Sequence, residues 1–125
     1  MWNGPDAPRL DDYLSHMLDA VRTAIEYVGA ASEGEFLVDR KTQQAVIYNL
    51  MVLGEAATRM ATEHPSFVAE HRQIPWQVMR GMRNRMAHGY FRTDMSIVWR
   101  TVRQSLPPLE GALTALVSAR TVDRS

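Results

Sequence analysis

The hydrophobic residues of this chain recur at intervals of three and four, the period of an α-helix, and this feature constrains the fold most strongly. The clearest stripe precedes Gly29 and consists of Leu10, Tyr13, Met17, Val21, Ala24 and Val28. No stretch alternates between apolar and polar residues in the manner of a half-buried strand. The pattern therefore predicts an all-α protein.

Glycines, prolines and capping residues divide this pattern into segments. We predict a first helix over residues 11–28, which ends at Gly29, and a second over residues 39–62. The second helix is apolar on most sides in its middle, so we expect it to lie at the centre of the fold. His64-Pro65 ends it, because proline disfavours helical geometry in the preceding residue. A connector with one helical turn follows as far as Ile74.

Two further helices complete the predicted fold. Pro75 suits the first position of a third helix, which stops before Gly89. Asp94 suits the N-cap of a last helix, which Pro107-Pro108 breaks or kinks. The tail from Arg120 to Ser125 is polar, and we expect it to be frayed. The sequence therefore predicts an antiparallel bundle of four to five helices.

Length and composition limit the domain organisation and the chemistry of any site. A chain of 125 residues corresponds to one domain, 1–125. The absence of cysteine excludes disulfides, thiolate zinc sites and a cysteine nucleophile. The four histidines show no metal-ligand spacing, so we expect neither a metal nor another cofactor. The N-terminus lacks the features of a signal peptide and no apolar run reaches the ~20 residues of a membrane span, which indicates a cytoplasmic protein.

Positive charge is concentrated in one part of a chain whose formal net charge is zero. Residues 1–79 carry six basic and eleven acidic side chains, a net charge of −5, whereas residues 80–103 carry six arginines and one aspartate, a net charge of +5. Arginine binds phosphate through paired N–H groups. Arg80, Arg85 and Arg92 are therefore candidate RNA-binding residues. Alternatively, these arginines pair with acids of the first half or of a partner.

Residues 83–90 read Arg-Asn-Arg-Met-Ala-His-Gly-Tyr and combine guanidinium, imidazole and phenol groups. Metal-free cleavage of RNA needs a base for the 2′-hydroxyl, a cation that stabilises charge on phosphorus, and an acid for the leaving oxygen. His88 can act as base or acid, since an unperturbed histidine has a pKa near ~6.5, and Arg83 can stabilise the phosphorane. A second histidine is missing nearby, but a symmetric dimer could supply it.

Spacing alone leaves other interpretations open. Five residues separate two side chains by about 140° on an ideal helix, so Arg83 and His88 share a site only if the helix ends near His88. A histidine near a helix end often caps the last carbonyls, and Tyr90 can be a half-buried amphipathic residue. Asn84 is either a supporting group or a local helix-end hydrogen bonder. The three methionines of this helix most simply belong to the core: Met79, Met82 and Met86.

Gly54 and Glu55 are unusual residues for the middle of an apolar helix. Gly54 costs roughly 1 kcal/mol relative to alanine, but beside Ala56 and Ala57 it would allow another helix to approach closely. We expect Glu55 to pair with an arginine of the third helix, because an uncompensated buried carboxylate is costly. A plain structural ion pair is the simplest interpretation of Glu55.

The octapeptide at 83–90 resembles the Arg-x4-His-x-Tyr motif of the HepT-like proteins, small all-α members of the HEPN superfamily of ribonucleases. The resemblance covers nearly the whole chain. Its other segments are Phe36-Leu-Val-Asp-Arg-Lys-Thr, Asn49-Leu-Met-Val-Leu-Gly-Glu-Ala-Ala, Ile74-Pro-Trp-Gln-Val-Met-Arg-Gly-Met-Arg-Asn, Ile97-Val-Trp and Leu106-Pro-Pro-Leu. Arg-x4-His alone is a weak pattern, but its combination with the Gly-Glu-Ala-Ala helix and the Pro-Trp lead-in is specific.

The resemblance implies a type VII-like toxin whose antitoxin is a minimal nucleotidyltransferase. By similarity, Arg83 and His88 are the ribonuclease pair and Asn84 supports them. Tyr90 matches the tyrosine that the antitoxin adenylylates, which silences the toxin. The resemblance also implies RNA, with tRNA first, as the substrate. It further implies a homodimer or a higher oligomer, in which the two motifs face each other across a cleft.

Two other functions fit the same residues. The protein could be a non-catalytic partner of a nucleotidyltransferase that binds RNA or nucleotides through the same arginines. It could also be a helical interaction module whose arginines only pair with acids.

Overall fold

The computed structural model of the protein describes residues 10–89 and 94–123, and within these ranges it contains helices and no strand. The helices are α1 (Leu10–Val28), α2 (Glu33–Leu37), α3 (Arg40–Glu63), α4 (Pro65–Glu70), α5 (Trp76–His88), α6 (Met95–Arg100), a π-helical turn (Thr101–Ser105) and α7 (Leu106–Asp123). The predicted all-α fold is confirmed. The four long helices of the predicted bundle are α1, α3, α5 and α7.

Contacts between helix ends show that neighbouring long helices run antiparallel. Tyr13, near the start of α1, donates a hydrogen bond to Glu63 at the end of α3. Asp11, also near the start of α1, pairs with Arg120 near the end of α7. Among residues 10–89 and 94–123, no helix is long and apolar enough to cross a membrane.

The core lies between the apolar faces of α1, α3, α5 and the C-terminal helices. α3 is central, as predicted, because it packs against α1 on one side and α5 on another. The predicted core methionines of α5 are all buried: Met79, Met82 and Met86. Burial of this stripe fixes the rotation of α5 about its axis, and the rotation decides which residues of α5 face solvent.

The short helix α2 was not predicted from the sequence. Ser32 caps its first turn by accepting a hydrogen bond from the N–H of Glu35, and the Glu35 carboxylate accepts from the N–H of Ser32. The hydrogen bond from the Ser32 backbone lowers the pKa of the Glu35 carboxyl. Phe36 anchors this helix, since its side chain is fully buried. The Ser-x-x-Glu spacing was the available signal.

Pro107-Pro108 was predicted to break or kink the last helix, and the break does not occur, because the chain remains helical from Met95 to Asp123. A π-helical turn precedes the prolines, and the N–H of Leu106 donates to the carbonyl of Thr101, five residues earlier. Both prolines lie in the first turn of α7, directly after the π-helical turn, so the change of hydrogen-bond register falls at the point where two backbone N–H groups are missing. The helix therefore accommodates them.

The predicted fraying from Arg120 onwards is also wrong as far as the structure describes the tail. α7 continues to Asp123. The Arg120 guanidinium pairs with Asp11 and lies over the Phe67 ring at 5.4 Å. These contacts hold the last turns of α7 against α1 and α4.

Candidate active site

The position of α5 is fixed at its N-terminal end by aromatic side chains. The indole N–H of Trp76 donates to the carbonyl of His71 at 2.9 Å. The Phe67 ring of α4 stacks on the His71 imidazole, with ring centroids 3.9 Å apart. The Pro-Trp lead-in identified in the sequence therefore attaches the start of α5 to the connector and to α4.

Gly54 allows α5 to approach α3 closely at the site. A Cβ atom on residue 54 would lie 2.2 Å from the Cβ of Arg83 and 2.7 Å from the carbonyl oxygen of Met79. Any larger residue at this position would push α5 away from α3. The expectation that Gly54 permits a close helix approach is confirmed, and the residue that fills the space is Arg83.

The Arg83 guanidinium is held by two neighbours. Its Nη2 donates to Oε1 of Glu55 at 2.5 Å, and its Nη1 donates to Oδ1 of Asn84 at 2.8 Å. The predicted pairing of Glu55 with an arginine of this helix is therefore confirmed. The pair is not deeply buried, since the Arg83 and Glu55 side chains are 33% and 43% exposed. A guanidinium held in this way remains accessible to a phosphate from solvent.

Glu55 also connects Arg83 to a chain of polar contacts along α3. Its second oxygen accepts from Nε of Arg59 at 3.2 Å, and Arg59 lies 3.7 Å from Glu63. Glu63 in turn accepts from the Tyr13 hydroxyl at 2.8 Å. Burial, followed by the hydrogen bond and charge of Glu63, raises the pKa of the Tyr13 phenol. This series of polar contacts thus ends at the buried Tyr13 phenol, which stays protonated.

Arg83 and His88 line the same groove between α3 and α5, which we call the α3–α5 groove. Its volume is about 440 Å³, and it is lined by Tyr48, Met51, Val52, Glu55, Arg83, Ala87 and His88. The two residues lie five positions apart on α5, which ends at His88, and both contribute to this groove. This groove brings a cation and an imidazole to one open surface, the pair of groups that phosphate binding and proton transfer require.

The His88 side chain is exposed and makes no hydrogen bond with any residue in the described part of the chain. Capping of the helix end by this histidine is therefore not observed. Instead the N–H of Gly89 donates to the carbonyl of Arg85 at 2.8 Å. The His88 ring is left available for an external ligand.

The remaining predicted site residues are distributed over different surfaces. Arg80 lies one turn before Arg83 and Asn84 on the same face of α5. Arg85 lies on another face and lines a cavity between α5 and α6, of about 470 Å³, which His88 also borders. Tyr90 and Arg92 lie outside the described residues.

Sequence reasoning missed the contribution of Tyr48 to the α3–α5 groove. Tyr48 is 67% exposed, although it belongs to the apolar central helix. It precedes Glu55 by seven residues, so both lie on the same face of α3. That spacing was the signal that could have identified it. Within residues 10–89 and 94–123, no group of three or more His, Cys, Asp or Glu side chains could hold a metal ion.

Comparison with known proteins gives one consistent family. A family model described as ribonuclease HepT-like matches residues 17–116. A Thermococcus cleftensis protein named probable ribonuclease HepT is 35% identical over 105 residues, which cover 84% of this chain and 93% of that protein. No solved structure gives a significant match.

Two further relatives carry the description of candidate RNases. One, from Caldanaerobacter subterraneus subsp. tengcongensis, is 33% identical over 98 residues, or 78% of this chain and 85% of its own. The other, from Methanocaldococcus jannaschii, is 33% identical over 95 residues, or 76% of each chain. Since the family model covers most of the chain, including Arg83 and His88, this protein belongs to the HepT-like ribonuclease family.

Proposed function

We propose that this protein is a metal-independent endoribonuclease that acts in the cytoplasm as the toxin of a type VII-like toxin–antitoxin pair. The observation that carries the proposal is the α3–α5 groove, an open surface that both Arg83 and His88 line. Membership of the HepT-like family and relatives described as RNases support the same activity. The substrate is RNA, and tRNA is the first class to test.

The reaction begins with removal of the 2′-hydroxyl proton by neutral His88. The freed 2′-oxygen forms a bond to the adjacent phosphorus, and Arg83 stabilises the added negative charge of the phosphorane. The bond from phosphorus to the 5′-oxygen then breaks as that oxygen receives a proton. The products are a 2′,3′-cyclic phosphate and a 5′-hydroxyl. Asn84 and Glu55 orient the Arg83 guanidinium through their hydrogen bonds.

The second proton transfer is assigned to a histidine from a second copy of the chain. Support for a homodimer comes from the exposed apolar side of the α3–α5 groove. Tyr48 is 67% exposed there, and Met51 and Val52 beside it are partly exposed. An isologous contact across this surface would bring two His88 rings towards one cleft. A higher oligomer would repeat the same dimer.

Neutralisation is assigned to a minimal nucleotidyltransferase that adenylylates Tyr90. Tyr90 follows His88 by two residues in the sequence. A nucleotide attached there would add bulk and negative charge near the phosphate site and exclude RNA. Co-expression with the cognate transferase should add one or more AMP masses to the protein, and Tyr90→Phe should prevent the addition. An unmodified Tyr90 beside an active transferase would contradict this assignment.

The nuclease proposal is tested by cleavage of total tRNA in excess EDTA. Wild type, His88→Ala and the matched control His16→Ala are purified without the transferase, and product ends are identified by mass spectrometry. His16 is an exposed histidine on α1, so its loss should not change cleavage. We expect cyclic phosphate ends from wild type and His16→Ala only. Equal cleavage by His88→Ala would remove this residue from the mechanism.

A second candidate is a non-catalytic RNA- or nucleotide-binding partner of a nucleotidyltransferase. One observation favours it: among the described residues, the α3–α5 groove offers a single imidazole. A site with one proton-transfer group can bind phosphate without cleaving RNA. RNA binding by the wild type without cleavage, after intact mass has shown that Tyr90 is unmodified, would favour this function.

A further inference from the structure

A second groove lies at the opposite end of the contact between α3 and α5, and we call it the α4–α5 groove. Its volume is about 540 Å³. The end of α3 contributes Ala61, α4 contributes Pro65 and Val68, and the start of α5 contributes Val78. Val78 is 65% exposed, so an apolar floor faces solvent here.

The charged residues among the described lining of this groove have one sign. Arg72 and Arg80 line it, and no carboxylate is among its described lining residues. Neither arginine makes an ion pair or a side-chain hydrogen bond with the described part of the chain. Arg22 and Arg120, in contrast, pair with Glu110 and Asp11. Two unpaired guanidiniums at one groove are complementary to an anionic ligand.

Arg80 connects this groove with the α3–α5 groove. It precedes Arg83 by three residues and Asn84 by four, so the three side chains project from one face of α5. Gln77 of α5 lines the α4–α5 groove. The stretch of α5 from Gln77 to His88 is about 16 Å long at 1.5 Å per residue. A strand with several regularly spaced phosphates would span that length.

We propose that the α4–α5 groove is a binding site for the part of the RNA strand that flanks the scissile phosphate. Arg80 and Arg72 bind successive phosphates, and the apolar floor contacts the sugars and base faces between them. This inference rests on the proposed function, because it takes the scissile phosphate to lie at Arg83 and His88. It adds Arg72 as a substrate-binding residue outside the Arg-x4-His-x-Tyr motif.

The test measures binding of 2′-O-methyl RNA by the wild type, Arg72→Gln, Arg80→Gln and Arg40→Gln. This probe lacks the attacking hydroxyl, so affinity is measured without cleavage and independently of it. A fluorescent oligomer of about twelve nucleotides fits the usual range of single-strand sites, and a dinucleotide serves as the short probe. Arg40 is the control because it is exposed and lies about 30 Å from Ala61 along α3.

We expect Arg72→Gln and Arg80→Gln to weaken binding of the long probe by roughly three- to tenfold. Each should also reduce the slope of log affinity against log salt concentration by about the amount that one phosphate contact contributes. Arg40→Gln should bind as the wild type does, and Arg72→Gln should leave dinucleotide binding unchanged. Since Arg72 is exposed and makes no ion pair or side-chain hydrogen bond within the described part of the chain, its variant should melt with the wild type, and Arg72→Lys should retain most of the affinity.

Two results would overturn the inference. Either Arg72→Gln binds the long probe as tightly as the wild type, or Arg40→Gln weakens binding to the same extent. The inference and the nuclease proposal fail separately. If the wild type cuts no RNA but Arg72→Gln binds RNA more weakly than the wild type does, the groove proposal stands and the nuclease proposal fails. If the wild type cuts RNA and Arg72→Gln has the same KM and affinity, the nuclease proposal stands and the groove proposal fails.

Discussion

Gly54 of α3 and Arg83 of α5 approach each other so closely that a Cβ atom on residue 54 would lie 2.2 Å from the Cβ of Arg83. The next residue of α3, Glu55, then meets the guanidinium end of the same arginine. One helix crossing therefore determines both the depth of α5 and the orientation of the Arg83 guanidinium. The Gly-Glu pair in the middle of an apolar helix has a structural explanation in this contact.

Gly54→Ala should destabilise the protein. Alanine gains up to about 1 kcal/mol of helix propensity over glycine, but its methyl group would overlap Arg83 and the Met79 carbonyl. Overpacking of this kind costs typically about 1–3 kcal/mol and more where backbone must move. We expect the free energy of unfolding, measured by urea denaturation, to fall by about 2 kcal/mol.

Gly81→Ala is the matched control for this substitution. Gly81 also lies inside a helix, but a Cβ atom there would meet nothing within 4 Å. Its replacement by alanine should raise the free energy of unfolding by up to about 1 kcal/mol. If Gly54→Ala proved as stable as Gly81→Ala, the close approach of α3 and α5 would be incorrect.

Glu55→Gln should lower RNA cleavage through Arg83. Glutamine keeps one acceptor oxygen but loses the charge that holds the Arg83 and Arg59 guanidiniums together. A less restrained guanidinium stabilises the phosphorane less well. We expect kcat to fall by about tenfold while KM does not rise, because the removed group is an anion and does not bind phosphate.

Glu110→Gln provides a control for the loss of a surface ion pair. It removes the partner of Arg22, and the Glu110 side chain is 36% exposed, close to the 43% of Glu55. The kinetic constants of Glu110→Gln should equal those of the wild type. Equal kcat values for Glu55→Gln and the wild type would show that Glu55 is a plain structural partner.

Tyr13 should make the stability of the protein fall at alkaline pH. Burial and the Glu63 carboxylate raise the pKa of its phenol above the ordinary value of about 10. Its stabilising contribution is therefore fully present below pH 10 and is lost as the pH rises through the raised pKa. Urea denaturation of wild type and Tyr13→Phe across this range should show a steeper decline for wild type. The half-exposed Tyr27, changed to phenylalanine, should keep the wild-type decline.

Much of the fold could be predicted from the sequence, because its main signals are local. The apolar period, the prolines and the capping residues gave the long helices to within a few residues. The pairing of Glu55 with an arginine was also predictable, because a carboxylate in an apolar helix needs a partner. The choice of Arg83 among the arginines of α5 depends on the close approach at Gly54, which is a tertiary contact.

Other features depend on contacts between residues that are distant in the sequence. The tail was expected to fray because it is polar, but Arg120 reaches Asp11 across the bundle. The prolines at 107 and 108 were expected to break or kink the helix, and a shift to π-helical hydrogen bonding lets it continue without a break. The α4–α5 groove is lined by Ala61, Arg72 and Arg80, which come together because the chain turns through α4 between α3 and α5. No spacing in the sequence indicates this arrangement.

Tyr48→Ser should weaken the proposed homodimer without weakening the fold of the protomer. The ring is 67% exposed, so it contributes little to the core, but it would be a central aromatic contact at an interface across the α3–α5 groove. Truncation of such a residue costs on the order of 2 kcal/mol of binding. Because an isologous interface contains this residue twice, we expect the dissociation constant, measured by sedimentation equilibrium, to rise about a thousandfold. The control is Tyr27→Ser, an exposed tyrosine of α1 that lies outside the groove.

Cleavage by Tyr48→Ser should fall at low protein concentration and recover at high concentration, because dimerisation restores the second histidine. A wild type that cleaves RNA as a monomer would contradict both the dimer and the assignment of the second proton transfer.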